Sequence, residues 1–376
     1  MKIVDIEVIE LRVPGWTGET FDGSYDNCLV LVHTDEGLSG IAEVDSVPSV
    51  IRAIVDAPRS HTHAMGLKQA IVGADPGDVE GLWERMYDLT SYYGRRGAVI
   101  HAISAVDIAL WDLRGKVRGK SVGALLGAQK RDRVLAYGTV YPLGETADDV
   151  RRNIDRGLKL GLKAIKIVAD PFWRDDLDKT AELIRAAREH VGPDIRLMVD
   201  AATAWTKAEQ GLPLMPIFKQ YDFFWVEAPL PIDDLDGHAR FQGFGVPIGG
   251  GDLGLTTRFE YEEAFVRGRI DIAQPDVTMA GGITELMRIS ELARRLGRRV
   301  VTHGYKSNIT IAANLAFLSQ HWADEPCEYS TSQSPLRWQL TKEAFPIEAD
   351  GRITVPTAPG LGVSLDPATV EKYRIG

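Results

Sequence analysis

Cysteine is nearly missing from this sequence: Cys28 and Cys327 stand alone among 376 residues. Two thiols so far apart exclude a disulfide framework and a cysteine metal cluster. Long apolar runs are missing too. The richest stretch, residues 98–113, is broken by His101, Asp107 and Asp112, so nothing reaches the length of a membrane span. The opening residues, MKIVDIEVIELRV, alternate apolar and acidic side chains and lack the apolar centre of a secretory signal. A soluble, cytoplasmic chain is expected. Positive charge is in deficit, with 43 Lys and Arg against 53 Asp and Glu and a net charge of −10. A nucleic-acid partner needs a basic face, so none is expected, and no membrane partner either. The same deficit says little about a small anionic substrate, because one local cation or metal ion outweighs a diffuse field. No glycine-rich turn follows the first strand, which argues against an open, doubly wound nucleotide-binding sheet.

What is present divides the chain in two. At 44% hydrophobic and 26% charged residues, the composition is that of an ordinary globular protein, and the length fits two domains or one barrel with additions. Val4, Ile6 and Val8 alternate with Asp5 and Glu7, the pattern of a half-buried strand. Residues 28–34 and 38–44 read as two more strands joined by an Asp35-Glu36-Gly37 turn. Residues 77–93 and 97–114 read as helices; in the second, Ile100, Ile103, Val106, Ala109, Leu110 and Leu113 fall at helical spacing. The first 130 residues thus predict an α+β unit.

From Arg133 onward, short apolar runs alternate with longer amphipathic stretches. The runs are 134–137, 164–168, 195–199, 223–226, 247–249, 270–273, 299–302 and 327–329. Helices are predicted between them, among them 146–160, 176–190, 206–219, 258–267 and 284–296. Seven or eight such units in series predict a parallel (β/α) barrel. The tail from Leu340 has strand-like pieces and packs back on the N-terminal unit in this reading.

A barrel of this kind places its chemistry at the C-terminal ends of its strands. The third run closes on Asp200, the fourth on Glu227 and the fifth on Asp252. A single carboxylate after a strand is commonly a helix N-cap. Three of them, 27 residues (200 to 227) and 25 residues (227 to 252) apart, repeat at the length of one βα unit and point into one mouth. Carboxylates so placed repel unless a cation lies between them, and a hard divalent ion such as Mg2+ suits an all-oxygen set. The sixth run is followed by Asp276 and the seventh ends on His303, again 27 residues on (276 to 303). Neighbouring strand ends of that kind make an acid–base dyad in which the carboxylate fixes the imidazole tautomer. Taken singly, Asp276 reads better as a helix cap and His303 as a histidine satisfied by a backbone carbonyl. Lys166 lies inside the apolar run AIKIV and needs an anionic partner, whereas Lys163 is solvated at the strand's start. Glu328 in the last strand is a further donor or acceptor at the substrate. Lys306 either reaches a distal carboxylate of a diacid or is a solvated surface lysine.

These motifs together resemble the enolase superfamily, in particular the branch of mandelate racemase and muconate lactonizing enzyme, and within it the acid-sugar dehydratases. The resemblance rests on AISAVDIALWDLRGK at 102–116, Leu126-Gly127, Met198-Val-Asp200, Trp225-Val-Glu-Ala-Pro229, Gln274-Pro-Asp276 and Gly281-Gly-Ile-Thr-Glu285, and it covers nearly the whole chain. It implies a modified (β/α)7β barrel over residues 131–339. It also implies an α+β capping domain over 1–130, completed by 340–376. It implies Mg2+ held by Asp200, Glu227 and Asp252, and removal of the proton alpha to a carboxylate. Residues 15–26 resemble the loop that closes over substrate in this superfamily, with Trp16 and Tyr25 lining or shielding the pocket; a loop at 45–48 joins them.

Three departures shape the expected reaction. The strand position where the family often has a second lysine is Val168, the third ligand is Asp252 where Glu is usual, and Ala228 replaces a second Glu. With one lysine base gone, His303, paired with Asp276 and assisted by Lys166, is left as the main acid–base group. The favoured expectation is dehydration of a sugar acid to a 2-keto-3-deoxy acid. An epimerase, racemase or cycloisomerase is the alternative, and a non-catalytic binding protein on the same scaffold is a third. The partner expected is a small-molecule carboxylate, and the chain is expected to form a homo-oligomer.

Overall fold

The computed structural model describes residues 1–16, 22–141, 144–202, 204–321 and 323–375, with the backbone alone at Pro171. Three strands open the chain: β1 (Ile3–Arg12), β2 (Asp26–Thr34) and β3 (Ser39–Val44), paired antiparallel in that order. The turn at 35–37 forms as its residues predict. Gly37 takes a φ of +79°, and the Leu38 carbonyl accepts from the Thr34 amide at 3.1 Å. The alternation expected along β1 fails at its start. Val4 is 49% exposed, while Ile3, Ile6 and Val8 are buried. The pairing register shifts between Ile3 and Asp5, and that irregularity resets which face the side chains take.

The helix Ala98–Arg118 packs on this sheet, buried on most sides. At Gly40 on β3 a Cβ would run into the Ala109 carbonyl, so glycine is what lets helix and strand approach. The helix predicted over 77–93 is cut at Thr90 into Val79–Leu89 and Ser91–Gly94. Two helices that periodicity did not single out, Pro48–Asp56 and Leu67–Ile71, fill the space after β3.

Eight parallel strands follow: β4 (Arg133–Val140), β5 (Ala164–Val168), β6 (Arg196–Asp200), β7 (Phe223–Glu227), β8 (Ile248–Gly250), β9 (Ile272–Ala273), β10 (Arg299–Val300) and β11 (Cys327–Ser330). They pair in the order β10-β9-β8-β7-β6-β5-β4-β11, with helical connections between successive strands. This is the curled parallel sheet of a (β/α)7β barrel. Side chains join the two ends of the sheet: Arg299 pairs with Glu325 at 2.7 Å, and the Gly304 amide donates to Glu328 Oε2 at 3.0 Å. Period-two alternation sorts the strand faces. Ile165, Ile167, Leu197, Val199 and Val226 belong to the outer, helix-covered core, whereas Leu135, Tyr137, Ala164, Met198, Trp225, Ile272 and Val301 fill the inside. The helix predicted over 206–219 is broken into Ala208–Gly211, a tight turn at Leu212–Leu214 and Met215–Gln220. Pro213 and Pro216 lack the N–H groups that a continuous helix needs.

The tail bridges both parts. Its strand β12 (Arg352–Thr354) pairs antiparallel with β4, and the Ile375 amide donates to the Glu10 carbonyl at 2.9 Å. The short helix Pro335–Gln339 leads into the tail, and within it a second helix, Pro367–Tyr373, forms beside the strand. The conspicuous motif on the long helix is a docking surface for the barrel. Buried Asp107 accepts from the Thr284 amide and hydroxyl, Trp111 Nε1 donates to Thr284 Oγ1 at 2.9 Å, and Ser104 Oγ accepts from the Gly281 amide at 2.8 Å. A Cβ at Gly282 would collide with Asp107. Burial holds the Asp107 carboxyl up to about 7 against those hydrogen bonds. Asp112 reaches the other way, accepting from the Ile41 and Leu361 amides. Among the described residues, no helix is long and apolar enough to cross a membrane.

Candidate active site

The strand register sets the rows of the mouth. Val168 pairs with Asp200, Asp200 with Glu227, and Glu227 with Gly249, so these residues close one tier of the barrel. Lys166 pairs with Met198 one step below. Its ammonium is 1% exposed and sits among three carboxylates. It bonds Glu227 Oε1, and lies 3.2 Å from Glu328 Oε1 and 3.6 Å from Asp200 Oδ2. Burial works against its charge, but those anions outweigh it, and the lysine is held well above its usual range.

Glu227 is fully buried, and its second oxygen accepts from Trp225 Nε1 at 3.0 Å and from Gln274 Nε2. A Cβ at Gly249 would strike the Gln274 amide, so glycine at that position is what admits the contact. Burial pushes the Glu227 carboxyl up to about 8; Lys166 pulls it down, while Asp200 and Asp252 push it further up. Asp252 is likewise raised by burial and by the charge of Asp200. Its Oδ1 is buried with no hydrogen-bond partner. Asp200 is the most accessible of the three, 15% exposed, and its Oδ1 accepts from the Ala202 amide at 2.7 Å. Ala202 and Ala228 hold positive φ angles of 47° and 43°, backbone strain two residues after Asp200 and one after Glu227.

Among the described residues, no three carboxylate, imidazole or thiol groups are drawn up as tightly as ligands around an ion. The donor set nevertheless fits a hard cation. Three carboxylates repel across one mouth, one carries an orphaned buried oxygen, and the single lysine beneath offsets only part of their charge.

The dyad lies beside them. Asp276 and His303 face each other across a parallel bridge, and His303 Nδ1 is 2.8 Å from Asp276 Oδ2. Asp276 Oδ1 accepts from the Thr278 amide at 2.6 Å and its hydroxyl at 2.7 Å. This network assigns the proton on Nδ1 to Asp276 and leaves Nε2 for exchange. Glu328 Oε2 is 3.8 Å from Nε2. Burial disfavours the imidazolium, but Glu328, Asp276 and Asp252 outweigh it and hold the histidine well above its usual range. Glu328 is buried yet held down to about 2. Burial would raise it; Lys166, His303, the Thr139 hydroxyl and the Gly304 amide prevail.

The structure therefore brings Asp200, Glu227, Asp252, Lys166, His303, Asp276 and Glu328 to one end of the barrel. Trp16 and Tyr25 stack nearly parallel, with centroids 6.5 Å apart, while residues 17–21 of the same loop lie outside the described residues. Lys306 is no solvated lysine: it is 4% exposed, with oxygens of the N-terminal unit around its ammonium. Gln274 stood in the Gln274-Pro-Asp276 motif without a role of its own, and Thr278 went unnoticed. Gln274 shares a face with Asp276 at strand period two, a signal that was there to use. Thr278 had none.

Comparison with known proteins finds matches over both parts of the chain. Residues 145–369 match the family model described as enolase C-terminal domain-like, and residues 11–127 match the mandelate racemase / muconate lactonizing enzyme N-terminal domain. The D-galactarolactone cycloisomerase of Agrobacterium fabrum is 33% identical over 318 residues, spanning 81% of this chain and 82% of its own. The L-rhamnonate dehydratase of Saccharopolyspora erythraea is 36% identical over 314 residues, spanning 80% and 75%. The crystal structure of a racemase from Streptomyces coelicolor A3(2) with bound magnesium superposes at a TM-score of 0.85 and 27% identity, covering 99% of this chain and 100% of that one.

Proposed function

The chain belongs to the mandelate racemase/muconate lactonizing enzyme group of the enolase superfamily, and on that premise we propose that it is a Mg2+-dependent acid-sugar dehydratase. The observation that carries this reading is a single oriented base. His303 is aligned by Asp276 at 2.8 Å, while β5 ends in Val168, which has no proton to exchange. A racemase that works by two opposed bases needs a partner there.

Asp200, Glu227 and Asp252 would hold the Mg2+. When bound, it supplies positive charge against the negative charge that grows on the substrate carboxylate as the α-proton leaves. Lys166 lies beneath these carboxylates and offsets part of their charge. His303 Nε2 takes the α-proton from its neutral form, which the anions around it make the minor one, and becomes the imidazolium that Glu328, Asp276 and Asp252 favour. The same imidazolium then returns that proton to the β-hydroxyl on the same face. Water leaves, the carbon–carbon double bond forms, and the enol becomes a 2-keto-3-deoxy acid. Glu328, ionised and without a proton to give, orients the imidazole from its other side.

The substrate class is a mono-acid sugar in this reading. Lys306 spends its three N–H groups on Gly23 O, Asp26 O and Asp45, so it is not free for a second carboxylate. A screen of aldonic and aldaric acids for 2-keto-3-deoxy products should turn over members of the first group. Turnover of diacids alone would overturn the class, and no keto-deoxy product from any acid would overturn dehydration. Because one relative is a cycloisomerase, lactones of the same acids belong in the screen. EDTA should abolish activity and Mg2+ should restore it; full activity in metal-free protein would remove the role given to the carboxylates.

A further inference from the structure

Resting on that reading of the site, we infer that Lys306 is a latch that docks the N-terminal unit on the barrel and, through Asp45 and Thr278, aligns Asp276 against His303. It is a positioning residue, not one that touches substrate. Lys306 stands three residues after His303. Its ammonium donates to the Gly23 carbonyl at 2.6 Å and the Asp26 carbonyl at 3.0 Å, and pairs with Asp45 Oδ1 at 3.1 Å. All three N–H groups thus end on oxygens of the N-terminal unit, from two separate loops. A lysine this buried is stable only with such partners. Nearby contacts follow the same path: Ser24 Oγ donates to the Tyr305 carbonyl at 2.7 Å, and Ser334 Oγ to the Ser24 carbonyl at 2.8 Å.

Asp45 joins this latch to the chemistry. Its side chain meets Lys306, and its amide donates to Thr278 Oγ1 at 3.0 Å. A threonine hydroxyl has one proton to give. With Asp45 occupying its acceptor side, the Thr278 hydroxyl is turned to donate to Asp276 Oδ1, leaving Oδ2 for His303. The bonds form a closed circuit: Lys306, Asp45, Thr278, Asp276, His303 and the short peptide back to Lys306. Loosening the loops at 23–26 and 45 therefore loosens the dyad. A plain structural staple would hold the loops without reaching the base.

The test uses full-length Lys306→Met, Lys306→Arg, Asp45→Asn and Thr278→Val. Three readouts apply: amide hydrogen exchange over 22–27, the low-field proton resonance of His303 Nδ1–H, and steady-state kcat and KM. Lys306→Met should speed exchange at 22–27, shift the His303 resonance, raise KM and lower kcat about 100-fold, with partial recovery in Lys306→Arg. Thr278→Val should shift the same resonance and lower kcat on the order of tenfold, with KM and loop exchange unchanged. If Lys306→Met does not fold, Asp45→Asn carries its readings. An unmoved His303 resonance in Lys306→Met or Asp45→Asn, with faster loop exchange, would reduce Lys306 to a staple and overturn the inference. The exchange and resonance arms need no substrate, so they judge the latch even where the proposed dehydration fails.

Discussion

Replacing His303 by asparagine should lower turnover by about 10⁴-fold and leave Mg2+ binding intact. Asparagine fills much of the same space and can still donate to Asp276, so the mouth keeps its shape. What it lacks is a ring nitrogen that gains and loses a proton. In the reading proposed here, Nε2 removes the α-proton and later protonates the leaving hydroxyl, so both steps are lost together. Exchange of the α-proton with D2O isolates the first step and needs no elimination. Calorimetric titration with Mg2+ reads the carboxylates independently. Exchange at the wild-type rate in His303→Asn would transfer the base role to another group, with Lys166 the nearest alternative. Its burial beneath three carboxylates, and the direction of its pKa, argue that it stays protonated.

Lys166→Met should cost about 3–5 kcal/mol of stability in metal-free protein, the usual loss when one partner of a buried charge pair is removed. Methionine nearly matches lysine in length, so the volume is kept and the charge is not. Glu227 and Glu328 would then be buried with no cation beneath them. The pH dependence has a definite sign. Glu328 is held down to about 2 in the fold, below its ordinary value, so its contribution is present above that ordinary value and lost as pH falls toward 2. Without Lys166 the carboxyl rises and acid unfolding begins at higher pH. Mg2+ should recover part of the loss, because it binds the folded form alone. Urea denaturation with EDTA and with Mg2+ measures both effects. A metal-free Lys166→Met protein as stable as wild type would show that the lysine does not balance these charges.

Lys166 and Glu328 also mark where reading the sequence stopped. That Lys166 faced inward followed from its place in AIKIV, since a β-strand alternates faces. That it met Glu328, 162 residues away (166 to 328), followed from ring closure, which brings the last strand beside the first. Val4 went to the other face because a register irregularity is set by the partner strand, not by the apolar pattern. The break in 206–219 was readable from Pro213 and Pro216, and the apolar spacing masked it.

The sequence by itself determined the barrel, the strands' closing residues and the row of Asp200, Glu227, Asp252, Asp276 and His303. These are local matters: strand period two and the length of a βα unit decide which side chain ends at the mouth. Only the tertiary structure decided what the buried charges do. Lys306 binds the Gly23 carbonyl across 283 positions of chain, and the Asp45 amide meets Thr278 across 233. A charged side chain takes its role from the partners that replace water around it, and those are chosen by which distant elements pack together.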